Sequence, residues 1–251
     1  MRRRNILISL ASLLFAPLAA VRAGLPATAR DETEYDAARN RLAIAIRGYA
    51  RMVGEQDDPK ILRAIAIVPR HLFVPIKVRN EAYEDYPLSI GADQTISQPS
   101  LVALMTHLLR PRSDDTMLEI GTGSGYQAAI LSHLVARVFS VEIVGALAKQ
   151  AAERLRRLGN RNVEVRHGDG YLGWPEHAPF DGIIVTAGAA HVPQPLLDQL
   201  KRGGRMVIPI GRSWTTQRLT LIEKDQQGRL SRRTIASVRF VPLTRKPSRP
   251  K

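Results

Sequence analysis

The chain has 251 residues, of which 44% are hydrophobic and 24% charged, the balance of an ordinary globular protein long enough for one α/β domain, which excludes global disorder. It contains no cysteine, which excludes disulfides, thiolate metal sites and cysteine nucleophiles. The 37 Lys and Arg outnumber the 23 Asp and Glu, giving a formal charge of +14, but the basic residues are scattered and no motif interleaves them with aromatics, so nucleic acid is not an expected partner.

At the N-terminus Arg2, Arg3 and Arg4 precede an apolar run from Ile6 to Ala20, followed by Val21-Arg22-Ala23. A basic start, a short apolar stretch and small residues before a cut site make residues 1–23 signal-like, and the run is short for a membrane span. Arg3-Arg4-Asn5-Ile6-Leu7 faintly resembles a twin-arginine export signal. The same stretch also reads as an N-terminal extension or an early start codon. Residues 24–33 read as a linker.

From Glu34 to Val53, apolar Ala38, Leu42, Ile46, Tyr49 and Val53 recur at helical spacing. Asp58-Pro59 starts a second helix reaching about Ile67, with Pro in its first turn. Pro69 and Pro75 break the chain, and Arg70 to Asp93 carries too many loop signals for a long element. Gln98 to Leu109 predicts a third helix. Strands then alternate with helices: strand Met117–Ile120, helix Gln127–Val135, strand Val138–Val141, helix Ala146–Leu158, strands Val163–Arg166 and Ile183–Val185, helix Leu196–Leu200, strand Met206–Ile210. Leu219–Ile222 and Ala236–Val241 follow as strands joined around Gln227-Gly228. This alternation predicts an α/β fold with a mostly parallel sheet, and the last two strands form an antiparallel pair. Residues 34–110 form a helical cap with a loop, 111–244 the sheet, and 245–251 a basic tail.

The sharpest local signal is Glu119-Ile120-Gly121-Thr122-Gly123-Ser124-Gly125-Tyr126, where a strand meets a glycine-rich turn and then a helix. Missing side chains let backbone approach a ligand closely. A dinucleotide fingerprint needs Gly or Ala at position 126; Tyr126 disfavours that reading, and the third glycine arrives one residue early. Glu142 ends the next strand, where a carboxylate can accept hydrogen bonds from both hydroxyls of a ribose. Gly168-Asp169-Gly170 follows the third strand, and Asp169 can reach the exocyclic amine of an adenine. These features sit at the C-terminal ends of successive strands, the edge where open α/β sheets bind ligands.

Upstream, Gln94-Thr95-Ile96-Ser97-Gln98-Pro99 enters the third helix. Thr95 or Ser97 reads equally well as a helix cap. No His–Asp pair or G-x-S-x-G elbow marks Ser97 as a nucleophile.

The E-x-G-x-G-x-G form resembles motif I of the Rossmann-like methyltransferases. Gln94–Pro99, Glu119–Gly125, Gly168–Gly170, Phe180–Ala187, Val192-Pro193, Gly203-Gly204-Arg205 and Phe240–Thr244, with Val68–Pro75 and Ala82-Tyr83 upstream, together resemble the protein-L-isoaspartate O-methyltransferases over roughly residues 34–244. The sequence departs from them at Ser100-Leu101-Val102. The resemblance implies a Rossmann-like methyltransferase fold and S-adenosylmethionine as methyl donor, with no metal. Glu119, Gly121, Gly123, Ser124, Gly125, Glu142, Asp169 and Gly170 would hold the cofactor. Thr95, Ile96, Ser97 and Thr244 would line the acceptor site, Ser97 being the family's active-site residue. Substrates would be damaged proteins or peptides carrying isoaspartyl residues, methylated on the free α-carboxylate, by a monomer without membrane insertion. Supply of the methyl donor places the enzyme in the cytoplasm, while residues 1–23 point to the periplasm or secretion. The alternatives are a methyltransferase for a small carboxylic acid, an NAD-dependent oxidoreductase and a non-enzymatic binding module.

Overall fold

The computed structural model describes residues 31–212 and 215–245. The signal-like residues 1–23, most of the expected linker and the tail beyond Arg245 lie outside them.

Helix α1 spans Glu32–Ala45, capped by Asp31, whose carboxylate accepts the Glu34 amide. It stops well short of the expected Val53. Gly48 takes a left-handed φ of +89°, and Asp57 holds its amide at 3.0 Å. Helical dihedrals cannot pass through that point. The apolar spacing persists because a short 3₁₀ turn, Arg51–Val53, follows. Helix α2 (Pro59–Ile67) starts where expected, with Asp58 as cap and Pro59 at its first position.

Two short strands, β1 (Leu88–Gly91) and β2 (Gln94–Ile96), form an antiparallel hairpin in what the sequence reads as loop. Ala92 and Asp93 at its tip have φ of +51° and +55°, unusual for residues with a Cβ. Helix α3 (Pro99–Leu109) follows.

The main sheet contains β3 (Thr116–Ile120), β4 (Arg137–Glu142), β5 (Val163–His167), β6 (Phe180–Val185), β7 (Leu200–Ile210), β8 (Gln217–Lys224) and β9 (Leu230–Val238) in the order β5-β4-β3-β6-β7-β8-β9. The first five are parallel; β8 runs antiparallel to both β7 and β9. Helices α4 (Tyr126–Ser132), α5 (Gly145–Arg157) and α6 (Gln194–Gln199) connect them. The expected pair is thus the outer part of a three-stranded meander. Its last strand lies earlier than expected, because the chain leaves the ladder after Val238.

Strand alternation sorts the core onto two faces. Met117, Val138, Ile184, Val207 and Leu221 join the cap helices and α4 on one side. Leu118, Phe139, Ile183, Met206 and Ile222 pack on the other with Trp174 and Leu196. Buried Glu55 fastens cap to sheet: it receives Arg110 at 2.8 Å and, from β9, Arg233 at 3.1 Å. Connections run outward from β3 to β5, then return to β6 on the other side of β3. The crevice beyond the C-terminal end of β3 is therefore the switch point where such sheets bind ligands.

Candidate active site

The glycine turn between β3 and α4 lies at this crevice. Gly121, Gly123 and Gly125 have φ of +96°, +52° and +88°, backbone that side chains with a Cβ resist. Contacts add a second reason for two of them. A Cβ on Gly121 would meet Thr186 Oγ1 at 2.5 Å, and one on Gly125 would meet Leu155 Cδ1 of α5 at 3.2 Å. The Thr186 hydroxyl holds the turn through the Gly121 carbonyl at 2.6 Å, while Arg154 Nη1 donates to the Ser124 carbonyl at 2.7 Å.

Two carboxylates flank the turn. Glu142, at the end of β4, accepts the Gly123 amide at 2.7 Å and the Val144 amide at 2.9 Å. Glu119 is fully buried beneath α4. Ser140 donates to its Oε2, and Thr122 bonds Ser140 in turn. Burial pushes the Glu119 carboxyl up to about 8; the Ser140 hydrogen bond opposes the shift and the charge of Glu142 adds to it. Its Oε1 is buried without a hydrogen-bond partner among the described residues.

An open cleft joins this turn to the acceptor residues. Thr95, Ile96, Ser97 and Thr244 line it together with Glu119, Gly121, Gly123, Ser124, Glu142 and Gly170. The sequence candidates therefore converge, with two exceptions. Gly125 stands behind the turn and packs on α5. Asp169 is also not among the lining residues: its carboxylate accepts the Tyr171 amide at 2.9 Å and lies 3.9 Å from Arg245.

Neither Thr95 nor Ser97 caps α3. The Ser100 amide in its first turn is accepted at 2.8 Å by Asp85, fifteen residues upstream, and the N-cap Gln98 supplies no cap bond. Thr95 is exposed, Ile96 buried and Ser97 half-buried.

Sequence reading missed several lining residues. Thr122 and Thr186 were hidden inside motifs read for their glycines and hydrophobics. Gln127, which donates to Thr106 Oγ1 at 3.0 Å, carried no signal beyond helical position. Val241–Leu243 form one wall of the cleft, although the sequence pattern assigned Val241 to a strand. None of the six histidines lines the cleft. Among the described residues, no helix is long and apolar enough to cross a membrane.

A parallel sheet with an acidic residue before a glycine turn, a second carboxylate at the next strand end and an antiparallel C-terminal meander together define a Rossmann-like methyltransferase. Residues 47–248 match the family model of protein-L-isoaspartate(D-aspartate) O-methyltransferase. The chain belongs to that family. Protein-L-isoaspartate O-methyltransferase 2 of Syntrophobacter fumaroxidans is 58% identical over 215 residues, covering 84% of this chain and 87% of its own. Protein-L-isoaspartate O-methyltransferase 1 of Cupriavidus necator is 49% identical, covering 91% of each. Among solved structures, a protein-L-isoaspartate O-methyltransferase superposes with a TM-score of 0.71 at 32% identity, over 81% of this chain and 65% of that one. A Plasmodium falciparum structure described as such an enzyme in complex with S-adenosyl-L-homocysteine gives 0.70 at 25% identity, over 83% and 99%. The chain is accordingly an S-adenosylmethionine-dependent methyltransferase that acts on isoaspartyl residues.

Proposed function

We propose that the cleft holds the methyl donor against the glycine turn and presents the isoaspartyl α-carboxylate between Ser97 and Thr244. The observation that carries this reading is the placement of those two residues on the same cleft as the turn, with no histidine lining it.

The residues fit the donor. Glycines make a cradle that a side chain would fill at Gly123, where a Cβ would meet only Ile90 Cδ1, and the unpartnered Oε1 of Glu119 offers an acceptor to an ammonium group. Glu142 stands where ribose hydroxyls can donate to it. Gly170 lines the same cleft at the end we assign to the adenine, and its missing side chain lets it pack directly against Ile120 Cγ2. Asp169 borders that end from outside the cleft.

When bound, S-adenosylmethionine supplies a sulfonium methyl that a carboxylate takes directly, leaving a neutral thioether. The substrate carboxyl has a pKa of about 3.5 and is already ionised at neutral pH, so no protein base has to remove a proton. Ser97 and Thr244 each offer a hydroxyl that can orient the anion without the tight neutralisation an arginine pair would impose. Ile96 and the 241–243 wall exclude water from one side. Positioning of this kind can account for several kcal/mol of rate enhancement, roughly.

The natural substrates we assign are damaged proteins and peptides, met by a monomer in the cytoplasm, where the donor is made. Purified enzyme should methylate an isoaspartyl peptide and leave the matching aspartyl peptide untouched. Equal labelling of both, or of neither while a small carboxylic acid is methylated, would reject the assignment. Recovery of a shortened chain starting near Gly24 outside the cytoplasm would reject the compartment.

A further inference from the structure

Gln217, the first residue of β8, is completely buried. Its backbone faces Val238, the last residue of β9, in the strand register. Beyond that pair the ladder stops, and the side chain of Gln217 takes over. Its Oε1 accepts the Phe240 amide at 2.8 Å, and its Nε2 donates to the Phe240 carbonyl at 3.3 Å. A primary amide carries a donor and an acceptor on one plane, which matches the two backbone groups of a single residue.

This contact sits where the chain turns from the sheet edge toward the cleft. The next residues are fixed to the far side: the Gly188 amide donates to the Val241 carbonyl and the Leu243 amide to the Gly188 carbonyl, both at 2.8 Å. Residues 241–244 then line the cleft. Gly188 and Gln217 interlock, because a Cβ on Gly188 would lie 2.8 Å from Gln217 Nε2. One buried amide thus holds the point at which the wall leaves the sheet, with Gly188 holding the residues beyond it.

We infer that Gln217 is a positioning residue for the acceptor, setting the 240–244 wall and through it Thr244 against the substrate carboxylate. It rests on the reading of Thr244 as an acceptor contact. Gln217 lines no part of the cleft and reaches no reacting atom. Its loss should therefore weaken peptide recognition more than donor binding, since the glycine turn and Glu142 belong to β3 and β4.

Two variants separate this role from a general packing role. Gln217→Glu keeps the shape. Its protonated carboxyl can serve both groups of Phe240, whereas its carboxylate sets a negative oxygen against the Phe240 carbonyl. The KM for an isoaspartyl peptide is followed from about pH 5.5 to about pH 9 against the wild type at each pH. It should match the wild type where the buried carboxyl is protonated and rise at least about tenfold as it ionises, a transition that burial places above the ordinary carboxylate range. Donor affinity by calorimetry should stay within about threefold of the wild type at every pH. Gln217→Met, which fits the space without either polar function, should raise the peptide KM at every pH. If either fails to fold, Gly188→Ala presses the same amide from behind and should move the peptide KM in the same direction. An unchanged peptide KM in folded variants, or donor affinity falling in step with it, would overturn the inference. Thr244→Val provides the control. If it raises the peptide KM while the Gln217 variants do not, the positioning role alone falls. If it has no effect, the acceptor contact on which the inference rests falls.

Discussion

The carboxylate of Glu142 accepts the amide of Gly123 at 2.7 Å, so the end of β4 holds the middle of the glycine turn directly. The same side chain takes the Val144 amide with its other oxygen. It therefore shapes the turn before any ribose reaches it. Glu142→Ala leaves both amides without that acceptor, a loss of roughly 1–3 kcal/mol for each group left unsatisfied. Donor affinity should fall at least tenfold by calorimetry, and the thermal midpoint should drop as well. Wild-type affinity in the variant would separate Glu142 from the cofactor.

Glu119 gives a test by pH. Its carboxyl titrates at about 8 in the folded chain against an ordinary 4.5. Between those values the folded state keeps a proton that the unfolded state has released. Stability therefore falls as pH rises through that window, by at most about 1.4 kcal/mol per pH unit for one proton, and levels off on either side. Glu119→Gln keeps a neutral side chain and removes this slope. Denaturant unfolding at about pH 5 and about pH 7.5 should show the variant gaining on the wild type at the higher pH. A constant difference would mean that the buried carboxyl is already ionised. An ammonium group bound at Oε1 would lower the same pKa, so donor binding near pH 7 should release protons, seen as a buffer-dependent heat.

The glycines of the turn should fail in different ways. Gly121→Ala drives a Cβ into Thr186 at a φ of +96°, and should cost roughly 1–3 kcal/mol of stability. At Gly123 the nearest atom to a Cβ is Ile90 Cδ1 of the hairpin, 3.4 Å away. Gly123→Val should leave the protein folded by circular dichroism yet abolish donor binding, because the branched side chain fills the space the ligand needs. Retained binding in that variant would misplace the cofactor.

Ser97→Ala should lower turnover markedly with donor affinity nearly unchanged, and no methylated enzyme should accumulate. With no histidine lining the cleft, kcat for the normal enzyme at saturating peptide should stay level between about pH 6 and 8. A steep loss of kcat below about pH 6.5 would establish a required base and remove Ser97 from the centre of the chemistry.

Much of this was legible from local pattern. The capped start of α2, the strands Met117–Ile120 and Val138–Val141, and the glycine turn each announce themselves within a few residues. What stayed hidden depends on partners distant in sequence. Asp85 caps α3 from fifteen residues upstream, so the region around Ser97 shows no cap of its own. Strands β1 and β2 have four and three residues and turn on Ala92-Asp93, with Gly91 beside the two central turn positions and not in them, where a glycine usually marks a hairpin. The bend after Val238 is fixed by Gln217, which in sequence is one more polar residue entering a strand. Asp169, read in the sequence only through its glycine frame, also caps the turn that follows it with one carboxylate oxygen.

The pairing of Glu55 with Arg233 spans 178 positions and bears on how the chain reaches its native state. Contacts of such separation are slow to form, because a long loop must close before they yield any stability. Arg110 is available to Glu55 early, but Arg233 arrives only with β9, which among the described residues pairs with β8 alone. Helices α1 and α2 can thus form and pack on α3 and α4 while the Arg233 arm of the Glu55 contact waits for the last strand. During synthesis Thr95, Ile96 and Ser97 precede the glycine turn and Thr244 comes last, so an unfinished chain would hold the turn and one side of the acceptor site while still lacking the wall that completes it.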